Sequence, residues 1–167
     1  MLQSAQLVLR ASLLEKKTAD LGDPSRSVNW GATIDIPTGT TDGKADRAYA
    51  DQGSIIASGE IAIDLAGSLI DVFGEALTFA KVKAILVRAG DANVNDVEVG
   101  GAGSNAFAGP FGDASDIVKV RPGGYAVLWA PKAGWAVTAG TGDQLRLGNG
   151  GSGSAVAYEI LVLGTSA

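Results

Sequence analysis

Residues Ile117–Gly164 read IVKVRPGGYAVLWAPKAGWAVTAGTGDQLRLGNGGSGSAVAYEILVLG, and this stretch decides the fold class. Short apolar runs alternate with Gly, Pro, Asn and Asp punctuation at a spacing of about 8–12 residues, the pattern of an antiparallel sandwich or barrel. The expected strands are Ile117–Val120, Tyr125–Trp129, Trp135–Thr138 with Gln144–Leu147, and Ala157–Leu163. In the last, Tyr158, Ile160 and Val162 oppose Glu159, Leu161 and Leu163, so both faces carry apolar residues and the strand belongs in the middle of a sheet. Arg121-Pro122-Gly123-Gly124 is a turn, because Pro fixes φ and Gly supplies positive φ.

Upstream, the grammar continues. Ser54–Leu65 alternates Ile61, Ile63 and Leu65 against Glu60 and Asp64. Val82–Val87 places Val82, Ala84 and Leu86 on one face and Lys83, Ile85 and Val87 on the other, which predicts a second central strand. Shorter strands are expected at Val97–Val99 and Trp30–Ile36, and a strand or turn at Leu69–Phe73. Gly39–Asp51 holds few apolar residues and is expected on the surface. Residues 5–17 alternate Leu7, Leu9, Ala11 and Leu13, which fits an extended arm better than a helix. The expected division is an N-terminal arm or edge strand over 1–20 and one sandwich domain over 21–167.

Composition narrows the chemistry. The chain has 167 residues, enough for one domain. It has 24 Gly, about twice the usual ~7%, as expected of a turn-rich fold. It contains neither Cys nor His, which excludes disulfides, thiolate nucleophiles, Ser-His-Asp triads and the usual zinc sites. The net charge of −5 argues against a nucleic-acid groove. No apolar run reaches the ~20 residues of a membrane span, and the first residues lack the pattern of a signal peptide. A soluble chain made in a cytoplasm is expected.

Local motifs give way to simpler readings. Gly148-Asn149-Gly150-Gly151-Ser152-Gly153 satisfies G-x-G-x-x-G, but a β-type run follows it where a dinucleotide site needs a helix. It reads as a mobile hairpin loop. Asp91-Ala92-Asn93-Val94-Asn95-Asp96 starts like a calcium loop, yet positions six and twelve are Asp96 and Ala102 instead of Gly and Glu. It reads as an Asx-rich turn, with an irregular calcium site using Asp91, Asn93, Asn95 or Asp96 as the alternative. Gly39–Lys44 lacks the spacing of a phosphate loop. Paired carboxylates could serve a glycosidase, but of the candidates Asp35, Asp42, Asp46, Asp51, Glu60, Asp64, Asp71 and Glu75 most lie in turns or on polar strand faces, where solvated roles are normal. Trp30, Trp129 and Trp135, with Tyr49, Tyr125 and Tyr158, are expected to pack in the core or at a subunit interface. A carbohydrate platform is the alternative use of the same aromatics. No catalytic, cofactor-binding or metal-ligating residue is assigned.

Several segments together resemble accessory virion proteins of tailed bacteriophages. They are D-L-A-G-x-L (Asp64–Leu69), K-V-K-A-I (Lys81–Ile85), V-x-P-G-G (Val120–Gly124), G-x-x-V-T-A-G-T-G-D-x-L (Gly134–Leu145) and Y-E-I-L-V-L-G (Tyr158–Gly164). The resemblance covers about residues 40–164. It implies an all-β, antiparallel jelly-roll-like β-sandwich, to which the alternation of residues 5–17 adds the extended N-terminal arm. It also implies a non-enzymatic virion structural protein, assembled in the host cytoplasm, that decorates and cements a phage head. The implied partners are the major capsid protein and further copies of the chain, a trimer first; charge and hydropathy lead us to expect no nucleic acid and no membrane, and no cofactor is expected. A tail or head-spike component and a carbohydrate-binding β-sandwich are the alternatives.

Overall fold

The computed structural model describes residues 2–67 and 69–167; Met1 and Ser68, the variable position of the D-L-A-G-x-L segment, lie outside them. The described residues are all-β, without a helix. Thirteen strands follow in order: β1 (Ser4–Lys16), β2 (Ser25–Pro37), β3 (Arg47–Ile55), β4 (Glu60–Asp64), β5 (Leu69–Ile70), β6 (Ala76–Leu77), β7 (Lys81–Ala89), β8 (Val97–Gly100), β9 (Ile117–Val120), β10 (Tyr125–Trp129), β11 (Trp135–Ala136), β12 (Gln144–Asn149) and β13 (Val156–Thr165). All ladders are antiparallel.

Two sheets form the sandwich. One runs β3-β13-β7-β10, with β11 also on β7; the other runs β4-β12-β8-β9. Their inner faces meet in one apolar core. Ile55, Ile85, Val87, Val156 and Val162 come from the first sheet, and Ile63, Val97, Val99, Leu145 and Leu147 from the second. Each such side chain contributes about 1.5–3 kcal/mol when fully buried. The short β5–β6 pair adds Leu69 and Leu77, which with Leu65 and Phe79 join the same core. The alternating inward residues explain the strands, because only a period of two puts every Val, Ile and Leu on one face.

The two long apolar runs are central strands, as their two-faced hydrophobicity predicts: β7 lies between β10 and β13, and β13 between β7 and β3. One detail differs. Val82 shares the core face with Ile85 and Val87, while Ala84 faces outward. The cause is a register shift: Leu163 pairs with Ala84 but Gly164 pairs with Val82, so Lys83 is the extra residue of a bulge. Gly164 permits it, since a side chain there would collide with the Lys81 carbonyl and the Phe79 ring.

Three further segments depart from the expected outline. Ser54–Leu65 is not one strand; it breaks at Ile56–Gly59, with Ser58 at φ +54°, and changes sheets between β3 and β4. Gly39–Asp51 is not simply surface: Arg47–Asp51 belongs to edge strand β3, and Ala45 and Asp46 are buried. The 148–153 run connects β12 to β13, which lie in different sheets, so it is an arch and not a hairpin.

The N-terminal segment folds as expected in type, but with a partner. β1 pairs along its whole length with β2, from Ser4 opposite Pro37 to Lys16 opposite Ser25. The division after residue 20 therefore falls in the turn of this hairpin, and residues 25–37 belong with the arm. The short strand expected at Trp30–Ile36 is the inner half of β2.

Candidate functional site

The hairpin is amphipathic. Side chains alternate, so Ala5, Leu7, Leu9, Ala11 and Leu13 share one face with their partners Ile36, Ile34, Ala32, Trp30 and Val28. The opposite face is mostly polar, and it includes a Gln6–Asp35 hydrogen bond of 2.7 Å and a Ser12–Asn29 hydrogen bond of 2.8 Å. The apolar face is covered only at its root. Ile36 and Ala45 are buried against Ala84 and Leu163 of the sandwich, with Leu2, Ala5, Ala48 and Trp129 around them. Further out the cover ends: Trp30 is 63% exposed and Leu13 61%. A two-stranded hairpin alone is marginally stable in water, and this uncovered apolar face is a candidate contact surface.

The outer face of the β3-β13-β7-β10 sheet is built in cross-strand rows. The row Ala48–Leu163–Ala84–Trp129 lies under the hairpin root. The next row, Ala50–Leu161–Leu86–Val127, is apolar and partly open. The third, Gln52–Glu159–Arg88–Tyr125, is polar. The second and third rows, Val127 excepted, line a groove of about 510 Å³. In it Arg88 donates to Glu159 at 2.8 Å and to Asp91 at 3.1 Å, and its guanidinium carbon lies 5.8 Å from the Tyr125 ring centre. The Arg88 Nε is buried with no hydrogen-bond partner, alone in this among the described residues.

A second exposed apolar feature is the β5–β6 turn. Asp71 Oδ1 accepts the Phe73 N–H at 2.8 Å and the Glu75 N–H at 3.0 Å. These bonds hold its carboxyl below the usual range, the Glu75 contact foremost. The turn presents Val72 and Phe73 to solvent.

The motifs picked out in the sequence have structural occupations. Asn149 is buried at the foot of the 148–153 arch: its Nδ2 donates to the carbonyls of Ile55, Ile56 and Ser154, and its Oδ1 accepts from Gly151 N–H and Asn95 Nδ2. The arch is thus tied to β3 and to the Asp91–Asp96 loop. In that loop Asn93 exchanges two hydrogen bonds with the Ala157 backbone, and Asp96 pairs with Arg121. Asn93 thus fixes β13 to the loop, and Asp96 ties the start of β8 to the end of β9. No three carboxylates converge as metal ligands among the described residues.

The carboxylates take separate partners. Asp46 accepts from Ser166 N–H and Oγ, Glu60 pairs with Arg146, Asp64 caps the turn at Ala66, and Asp51 accepts from Tyr158 Oη at 2.9 Å. Burial, then the bond to Asp51, holds the Tyr158 phenol far above its ordinary value. The aromatics divide. Tyr158 is in the core, Tyr49 and Trp135 pack against it, and Trp129 packs beneath the hairpin root. Trp30 and Tyr125 are exposed and sit on different elements, the arm and the outer sheet face. The sequence identified the hairpin's leucines, but nothing in it marked the groove, whose rows draw on four strands distant in sequence. No family model and no curated protein sequence matches the chain.

Proposed function

We propose that the chain is a structural subunit of a larger assembly, a capsid decoration protein that cements the outer surface of a phage head. The observation that carries this reading is the hairpin, an apolar arm of thirteen-residue strands standing on a sandwich that already has its own core. Such an arm has no use in the isolated chain and an obvious one between neighbours. The solvent-facing Val72 and Phe73 add a second contact element. Many weak contacts repeated over a lattice sum to tight attachment.

The sandwich fits the role as a rigid mount, and we read it as a jelly roll. Its eight principal strands, counted in chain order, stand as 1-8-3-6 and 2-7-4-5, so every connection except that between the fourth and fifth strands crosses between the two sheets. Trimers on a virion are the corresponding assembly.

The test is addition of the purified chain to heads assembled without it. The expected result is saturable binding at many lattice sites and a higher temperature of head opening. Binding at a few vertices or at the tail would move the protein to a spike or tail part. No binding, with head opening unchanged, would remove the reading.

A further inference from the structure

We propose that the groove on the outer sheet face receives Trp30 from a second copy of the chain. The proposal deepens the reading of the hairpin as an assembly contact by naming both halves of that contact.

The arm cannot fill the groove of its own chain. Trp30 lies seven residues along β2 from Pro37, or about 23 Å of extended strand. The open row of the groove begins two residues beyond the row that holds the root, about 7 Å away. A paired strand is too stiff to turn back over that distance, and Trp30 is not among the residues that line the groove. Knob and hole are therefore separate surfaces of one molecule.

Their chemistry matches. The floor, Ala50, Leu86 and Leu161, suits the indole ring, and the groove is large enough to hold it. A buried indole N–H needs an acceptor, and Glu159 and Gln52 stand in the adjoining row. Arg88 places a guanidinium at the same wall, where an aromatic face is a favourable neighbour. Buried Trp anchors in pockets of this kind dominate interface energies.

A contact between two different surfaces is heterologous. It propagates from copy to copy and closes into a ring when the rotation allows. Trimers would close this way, each chain giving one arm and accepting another.

The absence of Cys allows a direct test on the full chain. Two single variants that keep the indole, Ala11→Cys, at the cross-strand partner of Trp30, and Ala50→Cys, are oxidised separately and as a mixture. Both positions are exposed, and unchanged thermal unfolding checks that each variant folds. The expected product is a disulfide dimer in the mixture containing one chain of each kind. Sedimentation velocity of the unsubstituted chain is expected to show a discrete oligomer, and Trp30→Ala to weaken it by about 30-fold or more. Three results would overturn the proposal: a monomer at tens of micromolar, disulfide dimers of the Ala11→Cys chain alone, which signal arm-to-arm packing, or an oligomer indifferent to Trp30→Ala. A monomer that still bound heads would end this proposal and leave the decoration reading standing.

Discussion

At the scale of single residues, two buried polar groups carry more than their size. Asn149 serves three carbonyls and two donors where β12 leaves its sheet. Replacing it strands those groups away from water, at about 1–3 kcal/mol for each buried group left unpaired. Asn149→Ala is expected to lower stability by about 2–4 kcal/mol, read from the midpoint of urea unfolding. Asn149→Asp is expected to cost more, because it sets a carboxylate against carbonyl oxygens. Tyr158 gives a pH signature. Its phenol is held above the ordinary value of about 10, so the unfolded chain ionises first as pH rises. The contribution is intact below pH about 10 and is lost as pH climbs toward the folded-state value. Unfolding midpoints followed from pH about 9 to 11 should fall less steeply in Tyr158→Phe than in the parent chain.

At the scale of elements, the bulge in β7 and the loops beside it act as one unit. The Lys83 side chain is buried, and its Nζ donates to the carbonyls of Thr41, Pro131 and Lys132. Burial lowers its pKa. Lys83→Met keeps the volume and removes the donors. It should cost about 1–3 kcal/mol and speed hydrogen exchange at the Gly43 amide, which bonds the Pro131 carbonyl in the same cluster. Unchanged exchange at Gly43 would show that the loops hold without the lysine. The elements also show what the chain discloses and what it hides. β7 and β13 are legible because they are buried on both faces, and such strands are nearly continuous in apolar residues. β3 is hidden because it is an edge strand whose outward residues are small or polar: Ala48, Ala50 and Gln52. The bulge is hidden because alternation through Lys83 looks unbroken until Gly164, eighty-one positions later, fixes the register. Gly and Pro mark where the chain turns but not which sheet it enters, so the 148–153 arch looks like a hairpin. The leucines of β1 announce an amphipathic strand, whereas the groove needs four strands in register before it exists.

At the scale of the molecule, arm and sandwich should separate under a protease. The arm's far end, residues 17–24, is exposed and outside any strand, and exposed tips are where nicking concentrates. Brief trypsin treatment of the free chain is expected to cut at Lys16, Lys17 or Arg26 while the body from Arg47 onward stays whole. In an assembly that seats the arm, the same cuts should slow by an order of magnitude or so. Equal rates in both states would mean that the arm stays free.

The central place of β13 has a consequence for biosynthesis. Of the thirteen strands it is the last to be translated, yet it lies between β3 and β7, which cannot pair with each other without it. Folding of that sheet must therefore wait until residues 156–165 have left the ribosome, and its long-range pairings make the final step slow. A transcript cut short before Val156 should yield aggregated, protease-sensitive chains in place of a smaller folded product. Only a chain translated through β13 would then present the groove, which takes Glu159 and Leu161 from that strand, beside the arm.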